Sequence, residues 1–182
     1  MEKNNKKNEN KEIKEKIEAA SEAAASVNQE SNNAPQQPAL VIQSQYIKDM
    51  SLEIPLAPAI FKELNQAPTI NVDINIANGK LEENNYNVAL TAKINADLGD
   101  KKLFIVEITY ACVAYVNVPA EQLEPVLFIE LPRLLFPFVR SAIANNLSAA
   151  GLPPIMLNPI DFVGLYNAKK AKEAELAAQK SA

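Results

Sequence analysis

Residues 131–162 read LPRLLFPFVRSAIANNLSAAGLPPIMLNPIDF, the longest apolar region of the chain, punctuated by Pro132, Pro137, Pro153, Pro154 and Pro159. Pro132 suits the first turn of a helix, where a missing N–H costs nothing. From it two apolar stripes run at helical spacing, Leu135, Phe138 and Ala142 on one and Phe136, Val139, Ile143 and Leu147 on the other. Gly151 offers a left-handed C-cap and Pro153-Pro154 forbids continuation, so the spacing predicts a helix over about 132–150. A helix apolar over so much of its circumference needs partners on more than one side.

Upstream lie four alternating segments. In 40–54, LVIQSQYIKDMSLEI, the even positions Leu40, Ile42, Tyr46, Met50, Leu52 and Ile54 are apolar, and Gln43, Gln45, Asp49, Ser51 and Glu53 are polar; Lys48 breaks the pattern, as at a sheet end or a bend. The connection 54–68 has room for a helical turn near Ala59–Leu64. In 69–77, TINVDINIA, Ile70, Val72, Ile74 and Ile76 alternate with Asn71, Asp73 and Asn75, and Asn78-Gly79 signals a turn. Residues 85–97 alternate likewise, Leu98-Gly99-Asp100 turns the chain, and 102–116, KLFIVEITYACVAYV, form the most apolar strand. Short connections between four strands predict an antiparallel sheet. Its polar set contains Asp49, Glu53, Asp73, Asp97 and Glu107, opposed by few bases such as Lys93. One face is therefore expected to be solvated and acidic, the other covered by the long helix. Asn117-Val118-Pro119 ends the sheet and leads into a short helix over 119–131 made irregular by Pro125. A last helix is expected from Asn158, as N-cap, with Pro159 in its first position.

The fold class is thus α+β: a four-stranded antiparallel sheet backed by a long helix and a shorter C-terminal helix. Residues 1–37 form a Lys/Glu/Asn-rich low-complexity leader expected to be disordered, 38–168 the folded domain, and 169–182 a polar C-terminal tail expected to fray.

Composition narrows the function. The 182 residues contain no histidine and one cysteine, Cys112, so multi-cysteine zinc sites and disulfides within the chain are excluded and the commonest general base is missing. Cys112 falls on the apolar side of its strand, where an inert buried thiol is expected. With no glycine-rich phosphate loop either, neither an enzyme nor a bound cofactor is expected. A net charge of −4 argues against a nucleic-acid partner. No run nears the roughly 18–20 apolar residues of a membrane span. Stable membrane insertion is not expected, and without a signal sequence the chain is expected to stay in the cytoplasm.

Three blocks carry a family resemblance. QSQYIKDMSLEIPLAPAIF at 43–61 resembles the first-strand signature of the SecB family of bacterial protein-export chaperones, LLFPFVRSAI at 134–143 its long helix, and LPPIMLNPIDF at 152–162 its closing segment. The likeness covers about 40–168, with the four strands in matching order. It implies a homotetramer, a dimer of dimers, acting as an ATP-independent holdase. Such a protein keeps unfolded secretory preproteins translocation-competent and passes them to the motor ATPase SecA. The resemblance further implies a SecA-binding patch at Asp49, Glu53, Ile105 and Glu107. Alternation independently puts Asp49 with Glu53, and Ile105 with Glu107, on one face of their strands. Val106, Ile108, Tyr110, Phe136 and Phe138 are expected as oligomer or client contacts. The family often carries a tryptophan after the first strand; this chain has Leu64 and Asn65 in that neighbourhood. Other readings are a SecB-like chaperone dedicated to one partner, of the toxin–antitoxin type, and a small-ligand-binding α+β protein using the space between sheet and helix.

Overall fold

The computed structural model describes residues 39–180; the 1–37 leader lies outside the described residues. Four long strands, β1 (Leu40–Glu53), β2 (Thr69–Glu82), β3 (Asn85–Leu98) and β4 (Lys101–Val116), form one antiparallel sheet in the order β1-β4-β3-β2. A 3-10 turn at Ala59–Glu63 bridges β1 to β2 and plugs Ile60 into the core. After the sheet come α1 (Ala120–Pro125), a π turn (Val126–Glu130), α2 (Leu131–Ala149) and α3 (Phe162–Lys180).

The expected architecture is present, with local corrections. The β2–β3 hairpin does not turn at Asn78-Gly79. Both residues stay paired, with Val88 and Asn87, and the chain reverses at Glu83-Asn84, where Asn84 takes φ 60°. Asn tolerates that left-handed conformation better than most residues, so the turn signal was one of several and pairing chose between them. Pro132 lies in the first turn of α2, as expected, yet no break in the helical path precedes it. The helical path runs on from α1 through the π turn, which follows directly on Pro125, whose missing N–H and ring disturb the regular ladder. The last helix starts three residues later than expected, at Phe162. Asp161, not Asn158, is its cap, its Oδ1 accepting from the Gly164 N–H at 3.0 Å. Residues 169–180, expected as a polar tail, are helical: α3 continues to Lys180.

The C-terminus of α2 closes as the sequence predicts. Gly151 takes φ 80°, its N–H donates to the Ser148 carbonyl at 3.1 Å, and the Leu152 N–H donates to the Leu147 carbonyl at 2.9 Å. This is the Schellman pattern, with buried Leu152 set beside buried Leu147.

The core lies between the sheet and α2. Val88, Leu90, Ala92 and Ile94 of β3 and Val106 and Ile108 of β4 meet Leu131, Leu135, Val139, Ile143 and Leu147 of α2, all fully buried. The second predicted stripe, Phe136, Val139, Ile143 and Leu147, is buried throughout, whereas the first divides: Leu135 is fully buried in this seam and Phe138, like Leu134, points away from it. α3 packs by Phe162 against Phe136, edge to face at 5.9 Å, and by Tyr166 against Phe128 of the π turn.

Strand β1 carries two bulges. Register jumps between Ile42 and Ser44 and between Ile47 and Asp49, leaving Gln43 and Lys48 without partners. Between them parity is reversed, because each extra residue turns the following side chains to the other face. Tyr46, expected on the apolar side, faces away from α2 opposite Ala111, and its hydroxyl accepts from Asn87 Nδ2 at 3.0 Å. The second bulge restores the phase, so Met50 and Leu52 pack on the core and Asp49 and Glu53 do not.

Candidate functional site: an acidic sheet face and two apolar margins

The face of the sheet away from α2 is built from cross-strand rows. Glu53 of β1 opposes Ile105 of β4, which opposes Asn95 of β3 and, through it, Asn71 of β2. In the next row stand Ser51, Glu107, Lys93 and Asp73, and in the third Asp49, Thr109, Thr91 and Asn75. The Thr91 and Thr109 hydroxyls are 2.9 Å apart. Rows two residues apart along a strand are separated by about 7 Å. The four residues named from the sequence, Asp49, Glu53, Ile105 and Glu107, therefore share one patch of three consecutive rows on two adjacent strands.

Its electrostatics follow from spacing. Neighbouring rows lie within the Debye length of about 8 Å at physiological ionic strength, so their charges act together. Glu107 has Lys93 Nζ 3.6 Å from its Oε2, and Asp97, one row beyond Ile105, has Lys102 Nζ at 2.6 Å. Asp49, Glu53 and Asp73 have no ion pair among the described residues. Ile105 is half-buried, with Glu53 directly opposite and Glu107 one row along, while Asp49 lies two rows away.

The proposed contact residues divide. Val106 and Ile108 are fully buried beneath α2 and Phe136 is nearly so, packed on Phe162. They belong to this chain's own core and offer no surface, which narrows the expectation to Tyr110 and Phe138. The cause is geometric: the α2-facing side of β4 is already covered by the chain's own helix. Tyr110 is half-buried and stacked on Phe138, with ring centroids 5.8 Å apart. Phe138 remains 44% exposed, Leu134 48% and Ile47, which opposes Tyr110, 49%. Leu134 and Phe138 border an open groove of about 530 Å³ against Ile42–Gln45 of β1. This is one apolar margin, along the β1 edge.

The second runs along the β2 edge, and sequence reasoning missed it. Ile70 and Val72 with Ile155, Met156, Leu157 and Ile160 line a groove of about 320 Å³. Further along, Ile74, Ile76, Phe128, Leu165 and Tyr166 line another of about 240 Å³. Lys169 Nζ lies 4.0 Å above the Phe128 ring at its rim. The available signal was the apolar run 155–160 lying outside any helix, which has no partner unless it packs on a sheet edge.

Cys112 is fully buried on the α2 side of β4, and burial pushes its thiol above the usual range, keeping it protonated. No group of three or more potential metal-ligating side chains occurs among the described residues. No helix among them is long and apolar enough to cross a membrane.

Comparison with known proteins agrees with this geometry. Residues 33–173 match the model of the SecB family, described as preprotein translocase subunit SecB. The protein-export protein SecB of Paramagnetospirillum magneticum is 49% identical over 145 residues, covering 78% of this chain and 90% of that one. That of Rhodopseudomonas palustris strain BisB5 is 46% identical over 139 residues, covering 76% and 88%. Among solved structures, a SecB-like chaperone of Mycobacterium tuberculosis, in complex with a ChAD peptide from the HigA1 antitoxin, superposes with a TM-score of 0.58 at 13% identity. That match covers 67% of this chain and 91% of the other, a likeness of fold. An acidic sheet face, a helix-covered core and a matching sequence over 33–173 lead to one assignment: the chain belongs to the SecB family of protein-export chaperones.

Proposed function

We propose that this chain is an ATP-independent holdase that keeps secretory preproteins unfolded and delivers them to SecA, working in the cytoplasm as a dimer of dimers. The observation that carries the reading is the separation of two kinds of surface. Carboxylates Glu53 and Glu107 flank Ile105 on the exposed sheet face, with Asp49 two rows along, while the apolar grooves lie at the sheet margins. A charged face can therefore hold a basic surface of SecA while a client occupies a margin.

Each surface suits its task. Asp49 and Glu53 each lie about a Debye length from Glu107, so these carboxylates together speed encounter with a basic partner, and Ile105 supplies an apolar anchor that slows release. The β2-edge grooves are open and lined by flexible or branched side chains, Met156 among them, so they place few shape demands on a client. Burying one client Leu or Phe there contributes roughly 1.5–3 kcal/mol, and several such contacts offset the cost of restraining an extended chain. β2 is also an edge strand whose free backbone groups can pair with such a chain. Holding needs no chemistry: association at about 10⁵–10⁷ M⁻¹s⁻¹ captures whatever folds slowly. The Leu134–Phe138 margin is assigned to sister subunits, since two copies there would bury the stacked Tyr110–Phe138 pair.

Charge reversal tests the docking face. Glu107→Lys, on a half-exposed side chain, is expected to abolish SecA binding while leaving the solution mass of the assembly and the delay of client refolding unchanged. Unchanged SecA affinity in this variant would refute the assignment of the face.

A further inference from the structure

Lys93 stands in the middle of the acidic face, in register between Asp73 on β2 and Glu107 on β4. Its ammonium lies 3.6 Å from Glu107 Oε2, and the two side chains are 49% and 42% exposed. That separation is too long for a tight hydrogen-bonded pair, and the exposure keeps both partners hydrated, so the pair exchanges readily. The other ion pair on this face differs. Lys102 sits 2.6 Å from Asp97, with side chains 34% and 29% exposed, so that carboxylate is firmly engaged. Without Lys93, Asp73 and Glu107 would lie two strand spacings apart, about 10 Å, with no cation between them.

We infer that Lys93 is an internal competitor on the docking face, occupying the carboxylate that a basic partner must take and so setting how fast and how selectively that partner docks. The inference rests on the docking role proposed above for Glu107. Lys93 holds a place that an incoming lysine or arginine must share. Around Asp49, Glu53, Asp73 and Glu107 it lowers the local charge from −4 to −3. A weakly basic surface then gains little by displacing it. An arginine-bearing partner, whose guanidinium can bind Glu107 through two N–H groups, displaces it with a net gain. Lys93 thereby favours partners with well-placed guanidinium groups over any cationic protein.

The sign of the effect separates this role from a structural one. A lysine that merely ties β3 to β4 would, on removal, leave docking unchanged or weaken it; a competitor, on removal, strengthens it. The experiment is stopped-flow association with SecA across a salt series, using the full chain and the variants Lys93→Gln, Lys93→Arg and Glu107→Gln. Urea unfolding of each variant serves as a folding control. Lys93→Gln is expected to associate about three- to ten-fold faster at low salt and to converge on the unmodified protein as salt rises. Lys93→Arg, whose guanidinium holds Glu107 more tightly, is expected to associate no faster than the unmodified protein, and Glu107→Gln to be slower. A Lys93→Gln rate equal to or below that of the unmodified protein, with Glu107→Gln still slower, overturns the competitor role and leaves the docking face standing. Equal rates for all four proteins overturn both.

Discussion

Glu53 on β1 and Ile105 on β4 are directly opposed residues on the exposed face of the sheet, and Ser51 opposes Glu107 one row further along. Sliding β1 by two residues would keep every side chain on its face yet carry Glu53 about 7 Å from Ile105. The patch is therefore a matter of register as well as parity. The Lys48 bulge sets the phase of β1 just before Asp49, at the start of the patch.

Leu135 and Ile143 are fully buried in the seam between α2 and the sheet. Leu135→Ala or Ile143→Ala is expected to cost about 2–5 kcal/mol, lowering the urea midpoint with an unchanged slope. A loss below about 1 kcal/mol would show that the seam is not the core.

Two glycines are expected to respond differently to alanine. Gly151 takes φ 80°, and the nearest atom to an added Cβ is Phe61 Cε1 at 3.9 Å, so the penalty of Gly151→Ala is one of backbone alone, about 1–2 kcal/mol. Gly79 lies in a paired strand with nothing within 4 Å of an added Cβ, so Gly79→Ala is expected to be neutral or stabilising by up to about 1 kcal/mol. Thermal unfolding of the two variants side by side checks the ordering.

The exposed stripe of α2 gives a prediction for assembly. Leu134→Ser with Phe138→Ser removes two half-exposed apolar side chains without opening the core. Light scattering is expected to give a smaller particle than the proposed four-chain assembly, with the far-UV spectrum preserved. A mass still equal to four chains would move the subunit contact elsewhere.

Client capture is expected to depend on the β2 margin. Met156→Asp places a charge in the groove formed with Ile70 and Val72, at a side chain that is itself 64% exposed. Delay of a slow-folding precursor's refolding is expected to fall severalfold, while SecA affinity is retained. Parallel loss of both activities would argue for a folding defect instead.

Cys112 makes the pH dependence testable. Burial raises its thiol pKa in the folded chain, so above the ordinary thiol range the unfolded state loses its proton first. The unfolded state then binds fewer protons than the native one, and stability falls as pH rises, until the native thiol also ionises. The limiting slope from this group is about 1.4 kcal/mol per pH unit. Replacing Cys112 by Ala is expected to remove this component. A thiol reagent at mildly alkaline pH is expected to label the chain only after urea is added.

Much of the architecture was legible because it rests on short-range rules. Alternation in 69–76 and 85–97 announced strands, helical spacing in 135–147 announced α2, and Gly151 before two prolines announced its end. Less legible were choices among similar local signals. Asn78-Gly79 and Asn84 both suit a turn, and only pairing of β2 with β3 through Lys80↔Tyr86 selects the second. Likewise Asn158 and Asp161 both suit an N-cap, and the packing of Phe162 on Phe136 goes with a start at 162.

By itself the sequence determined the order of the four strands along the chain, the course of α2, the side of β4 that holds Cys112, and the grouping of Asp49 with Glu53 and of Ile105 with Glu107. Each depends on periodicity within one element, which local backbone geometry imposes. Only the tertiary structure decided that Glu53 meets Ile105, that Tyr46 turns outward between two bulges, and that Lys93 lies between Asp73 and Glu107. It also decided that Val106 and Ile108 are spent inside the chain while Phe138 is left at the surface. The reason is that register and coverage are set by how separate elements pack together, through contacts between residues far apart in sequence that periodicity does not encode.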